Sequence, residues 1–71
     1  MPKLPVISGQ TCIKALQKAG FVVSRQKGSH VKLRRGAQTV IVPNHKELDR
    51  GTLKSILDQA GIEVEKFVEL L

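Results

Sequence analysis

The chain has 71 residues, of which 41% are hydrophobic, with one cysteine and a formal net charge of +6. Its length predicts a single domain over residues 1–71, and one cysteine with two separated histidines excludes an internal disulfide and a zinc site. No segment has the character of a signal peptide or the length of a membrane span, so we expect a soluble cytoplasmic protein without a cofactor.

The basic residues are distributed unevenly along the chain. Residues 1–54 carry eleven Lys or Arg against two Asp or Glu, a balance of +9, whereas residues 55–71 carry one against four, a balance of −3. A basic region of this kind suits nucleic acid, although a charged surface kept for solubility is the alternative. Because Phe21 and Phe67 are the only aromatic residues, recognition should rest on shape and phosphates rather than on base stacking.

The first predicted element is a helix over about residues 9–19. Ser8 is a suitable N-cap, and Ile7 and Cys12 are spaced to form a hydrophobic staple around it. Gly20 is placed to follow the end of the helix, where a left-handed backbone conformation is common.

Three β-rich segments follow, over residues 21–26, 30–35 and 38–43, and turn residues separate them. In the middle segment Val31 and Leu33 alternate with polar residues. This alternation predicts one apolar face and one basic face, because successive side chains of a strand point to opposite sides; the basic face carries His30, Lys32 and Arg34.

The last elements are two helices. Residues at i, i+3, i+4 and i+7 predict an amphipathic helix over about residues 51–60, ended by Gly61: Leu53, Ile56, Leu57 and Ala60. The same spacing predicts a short helix in residues 64–71. The fold class is therefore α+β, in the order α-β-β-β-α with a short extra C-terminal helix. The helices should cover the apolar side of a three-stranded antiparallel sheet and leave the face of His30 open.

His30 is the candidate catalytic residue. A histidine beside several cations suits RNA cleavage, in which the 2′-hydroxyl attacks the neighbouring phosphate and no metal is needed. The residues predicted to contact RNA around it are Lys27, Gly28, Ser29, Lys32 and Arg34. The glycine allows close approach of the backbone and the serine offers a hydroxyl. The alternative is a solvated strand histidine without a chemical role.

Other polar residues are weaker candidates. His45 lies in a loop after Pro43, where it either caps a turn or assists as an auxiliary residue. The second long helix starts at residues 51–54. This start either binds a phosphate through its backbone N–H groups, with Lys54 as an RNA contact, or is a capping turn. Asp49 is expected to favour that helix start electrostatically, and Cys12 to belong to the core.

Several segments together resemble the HicA family of toxin mRNA interferases: Gly20-Phe21, residues 25–30, residues 42–45, Glu47-Leu48 and residues 51–62. The Gly-Ser-His motif alone would be weak, but the later Val-Pro-Asn-His and Gly-Thr-Leu segments occur at the right separations. The likeness extends over nearly the whole chain. Val31 departs from the polar or aromatic residue that many members carry after the histidine, and residues 63–71 extend past the shared motifs.

The resemblance implies a fold like the double-stranded-RNA-binding domain, mRNA cleavage, and neutralisation by a HicB-type antitoxin that covers the face of His30. It also implies that the catalytic histidine is His30. Two alternatives remain open: a non-catalytic double-stranded-RNA-binding module, and a DNA-binding regulator. The second is disfavoured because no helix-turn-helix is evident and no helix has a basic reading face, so direct DNA binding is not expected. Membrane association is not expected either, because no segment is long enough to span a membrane.

Overall fold

The computed structural model describes residues 4–71, so the first three residues of the predicted domain lie outside the described part. The elements in chain order are α1 (Gly9–Lys18), β1 (Val22–Lys27), β2 (His30–Arg35), β3 (Gln38–Pro43), α2 (Arg50–Ala60) and α3 (Val64–Leu70). The predicted α+β fold, with its order α-β-β-β-α and an additional terminal helix, is confirmed. None of the helices in residues 4–71 has the length and apolar character needed to cross a membrane.

Helix α1 begins at the predicted residue, Gly9, and ends at Lys18, one residue earlier than predicted. The Ser8 side chain accepts a hydrogen bond from the backbone N–H of Thr11 at 3.1 Å, which satisfies one of the N–H groups left free at a helix start. Ala19 is the C-cap, and Gly20 follows with a φ of 100°, a conformation that glycine adopts without steric cost.

The sheet is antiparallel in the order β1-β2-β3, and two-residue turns join its strands. Gly28 and Gly36 each occupy the first position of their turn with a φ of 59°, which is the place of glycine in a tight hairpin. Strand β1 starts one residue later than predicted, because Phe21 is buried just before the strand instead of belonging to it.

The helices cover β2 and β3 but not β1. Val31 and Leu33 of β2, with Val40 and Val42 of β3, are buried on the side where α2 packs against β3. All six residues of β1 are exposed, so this edge strand is open to solvent on both faces. The apolar face of β2 is therefore covered and its polar face is free, as its alternation predicts.

Arg35 joins the ends of two helices, a role that the sequence analysis did not assign to it. Its guanidinium donates to the carbonyl oxygen of Ala19 at 2.8 Å and to that of Ala60 at 3.3 Å. It also lies 4.6 Å from the centre of the Phe21 ring. A cation is favourable at the carbonyl ends of helices and over an aromatic face, so Arg35 stabilises the fold while its neighbour Arg34 faces solvent.

Gly9 lies where the start of α1 meets the loop after β3. Its N–H donates to the carbonyl oxygen of His45 at 2.8 Å. A Cβ at this position would overlap the carbonyl oxygen of Pro43 and would lie 2.9 Å from the Cα of Asn44. The same loop is tied to the β1–β2 turn, because the N–H of Asn44 donates to the carbonyl oxygen of Ser29 at 2.6 Å. Gly9 therefore helps to fix the turn that precedes His30.

We expect Gly9→Ala to lower the free energy of unfolding by about 1–3 kcal/mol, the usual cost of forcing a group into occupied space. In an open helical position the same change would instead be stabilising by up to about 1 kcal/mol. Urea denaturation followed by circular dichroism measures the sign directly. Gln10→Ala, at the exposed neighbouring position, is the control and should change the stability little. A Gly9→Ala protein as stable as the wild type would contradict the close approach.

Candidate active site

His30 is the first residue of β2, directly after the Gly28-Ser29 turn, and its side chain is exposed. It pairs with Lys27 of β1 on one side and with Pro43 of β3 on the other. Directly paired residues lie on the same face of an antiparallel sheet. The open face therefore consists of three rows: Lys27, His30 and Pro43; Arg25, Lys32 and Ile41; Val22, Arg34 and Thr39.

Beside His30 the open face forms a groove of about 600 Å³, here called the basic groove. Its lining residues are Arg25, Lys27, Gly28, Ser29, His30, Lys32 and Ile41. The structure thus brings together the predicted residues Lys27, Gly28, Ser29, His30 and Lys32. Their assembly follows from the short hairpin, which places the ends of β1 and β2 side by side.

Arg25 is a groove residue that the sequence analysis did not identify. It pairs with Lys32, and a register shift between Val23 and Arg25 interrupts the ladder just before it. Residues two apart in a strand share a face, so counting back by two from Lys27 would have found Arg25.

The three cations of the basic groove are not neutralised by carboxylates. Within residues 4–71 the ion pairs are Lys54 with Asp58 and Lys66 with Glu69, and all four of these residues lie on helices. Unpaired cations that converge on one groove attract an anion strongly, and a phosphodiester is the anion that suits a row of them.

A second groove, of about 480 Å³, lies on the other side of His30 and is here called the α2 groove. One wall is His30, Ile41 and Pro43, and the other is formed by α2 and its cap: Asp49, Gly51, Thr52, Ser55, Ile56 and Gln59. His30 and Ile41 line both grooves. The imidazole therefore lies at the boundary between the two grooves.

Asp49 caps α2, which confirms the capping interpretation of this helix start. Its carboxylate accepts hydrogen bonds from the backbone N–H of Thr52 at 2.7 Å and from the Thr52 hydroxyl at 3.1 Å. These two bonds favour the charged carboxylate and hold the pKa of Asp49 below its ordinary value. A side-chain anion thus already occupies the N-terminus of α2.

Three predicted residues lie outside both grooves. Arg34 shares the open face but belongs to the row farthest from the hairpin. Lys54 lies on a different side of α2 from Ser55 and donates to Asp58 at 2.6 Å. His45 lines a separate shallow groove at the start of α1, together with Ser8 and Gln10. Their roles in binding RNA stay predictions.

The remaining reactive side chain, Cys12, is fully buried in the core, as predicted. Burial raises the pKa of its thiol to about 12, because an apolar environment disfavours the thiolate. It is therefore a packing residue and not a nucleophile. Across residues 4–71, no three His, Cys, Asp or Glu side chains come together in an arrangement that could hold a metal ion.

The family model described as "HicA toxin of bacterial toxin-antitoxin" matches residues 9–62, which are 54 of the 71 residues. The match begins at the first residue of α1 and ends just past α2, so it includes all three strands and both grooves. A search among curated proteins finds no significant match to the chain. The chain belongs to the HicA family, the toxins of bacterial toxin–antitoxin systems, and the family implies a cognate antitoxin as its partner.

Proposed function

We propose that this toxin is an endoribonuclease that cleaves mRNA with His30 as its catalytic residue and without a metal ion. The observation that supports this most directly is the exposed imidazole lining a groove whose three cations have no carboxylate partner among residues 4–71. A soluble cytoplasmic location, where mRNA is found, is part of the same proposal.

In the proposed reaction His30 accepts the proton of a ribose 2′-hydroxyl. The 2′-oxygen forms a bond to the adjacent phosphorus, and the bond from phosphorus to the 5′-oxygen of the next nucleotide breaks. The His30 imidazolium returns this proton to the leaving 5′-oxygen, directly or through a water molecule, so that the products carry a 2′,3′-cyclic phosphate and a 5′-hydroxyl. No metal is required, because the nucleophile belongs to the substrate. Histidine side chains can accept and release a proton near neutral pH, so His30 can serve as the base.

The groove residues have distinct roles in this proposal. Arg25, Lys27 and Lys32 hold the phosphate and stabilise the charge that develops on it in the transition state. A Cβ added at Gly28 would meet no atom within 4 Å, so there is open space for RNA over the turn. Ser29 offers its hydroxyl to a phosphate oxygen. We assign Arg34 and Lys54 to more distant phosphates and His45 to an auxiliary contact; these lesser roles are testable by single substitutions.

Incubation of a defined transcript with the purified protein in EDTA tests the function. We expect fragments whose 3′ ends are 2′,3′-cyclic phosphates, with the same yield as in magnesium. RNA that is bound but stays intact would contradict the proposal. That outcome would favour the alternative, a non-catalytic RNA-binding module, which the basic groove would also support.

The antitoxin partner is proposed to be of the HicB type and to lay an acidic surface over His30 and the basic groove. The support is the concentration of unneutralised positive charge at this site, since complementary charge speeds association and orients a partner. Inhibition of cleavage by the purified antitoxin should then weaken as salt is raised from about 0.05 to 0.5 M, because exposed charges are screened more strongly. Inhibition that is independent of salt would show that charge does not hold the two proteins together.

A further inference from the structure

We infer that the α2 groove is a nucleobase-binding subsite, in which Ser55 and Gln59 select the nucleotide beside the cleaved phosphate. The inference rests on the proposed function and extends it from catalysis to substrate choice. It assigns to the helix side of His30 a task that the basic groove cannot perform, because phosphate contacts position a nucleic acid but carry no sequence information.

The first argument is position. His30 and Ile41 are shared by the two grooves, so a nucleoside that adjoins a phosphate held at His30 can reach the mouth of the α2 groove. The volume of about 480 Å³ falls in the range, roughly 300–1,000 Å³, of pockets that hold small molecules.

The second argument is charge. The basic groove is lined by Arg25, Lys27 and Lys32, whereas no Lys or Arg lines the α2 groove. The one charged group in the α2 groove is the Asp49 carboxylate, which would repel a phosphate. The segregation of charge on the two sides of the imidazole thus favours phosphate on one side and a neutral group on the other.

The third argument is hydrogen-bonding capacity. The Thr52 hydroxyl is committed to Asp49 at 3.1 Å, but neither Ser55 nor Gln59 has a side-chain hydrogen bond to any of residues 4–71. The two lie four residues apart on an exposed side of α2, and a hydroxyl with an amide offers both donors and acceptors to the edge of a base. Ile41, which is 50% exposed, provides an apolar surface for the face of the base.

This arrangement implies that the nucleotide at the cleavage site is unpaired. A base whose Watson–Crick edge bonds to Ser55 and Gln59 while its face lies on Ile41 cannot at the same time be stacked and paired within a duplex. Sequence-specific recognition of RNA generally uses such unstacked bases in single-stranded segments. The substrate class is therefore single-stranded mRNA or a loop, not a continuous double helix.

Cleavage of a single-stranded RNA library with randomised sequence, followed by sequencing of the ends, measures nucleotide preference around the cut. We expect a preference at one nucleotide beside the cut in the wild type, and its reduction by about fivefold or more in Gln59→Ala and Ser55→Ala. Asp58→Ala, an exposed change on another side of α2, should keep the wild-type preference. Cleavage with the same preference in all the variants would overturn the inference and leave the ribonuclease function standing.

A second measurement does not depend on cleavage. Four short RNAs that differ only at the selected nucleotide, each with a 2′-deoxyribose at the cutting position, are titrated into the wild-type protein by NMR. We expect chemical-shift changes at residues 52–59 and affinities that differ among the four RNAs, with the differences lost in Gln59→Ala. Equal affinities, or shifts confined to the basic groove, would overturn the subsite even if the protein proves not to cut RNA.

Discussion

Replacing His30 by alanine is expected to abolish RNA cleavage while leaving RNA affinity within a few-fold of the wild type. A positioned general base contributes about 10²- to 10⁴-fold to the rate, so the single-turnover rate should fall by at least about 100-fold. The affinity should persist because the three cations that hold the phosphate are separate side chains. The fold should also persist, because the imidazole is exposed and belongs to none of the side-chain hydrogen bonds within residues 4–71.

The measurement is a single-turnover cleavage assay beside a binding titration with an RNA that carries 2′-deoxyribose at the cutting position. His45→Ala is the matched control, because it removes the other imidazole of the chain from a separate groove. It should keep cleavage within a few-fold. Full activity of His30→Ala would remove the basis of the mechanism, and a large loss in His45→Ala would show that His45 does more than make an auxiliary contact.

Removing the three cations of the basic groove is expected to have the second largest effect. In the triple variant Arg25→Gln, Lys27→Gln and Lys32→Gln, three phosphate contacts are lost together. Each phosphate contact of single-stranded nucleic acid contributes about 0.7 to the slope of log K against log salt concentration. The slope should therefore become shallower by about 2, and the affinity at low salt should fall steeply.

A control with the same net charge separates the groove from the overall charge of the protein. Lys14→Gln, Lys18→Gln and Lys66→Gln remove three cations from α1 and α3, outside both grooves beside His30. This variant should keep nearly the wild-type slope and affinity. Equal losses in the two triple variants would show that RNA responds to net charge alone, and would leave the basic groove without a specific role.

Local patterns in the sequence determined most of the fold. The spacing of apolar residues placed both long helices within a residue of their observed bounds, and the Ser8 cap and Gly20 marked the ends of α1. The alternation in β2 correctly separated Val31 and Leu33 from the polar face. These features could be predicted because each depends on neighbours within one helical turn or one strand. The Gly-Ser-His turn and its flanking lysines likewise lie within one hairpin.

Contacts between residues distant in the chain were decided only by the tertiary structure. Arg35 and Arg34 are adjacent cations in the sequence, yet one bonds to the ends of α1 and α2 and the other faces solvent. Gly9 meets Pro43 because the β3–α2 loop passes over the start of α1. Most importantly, Ser55 and Gln59 lie beside His30 only because α2 packs along β3. The sequence by itself thus determined the elements, the open basic face and the histidine on it, because these depend on local periodicity. The second wall of the site required the packing of a helix against a strand, which no local pattern encodes.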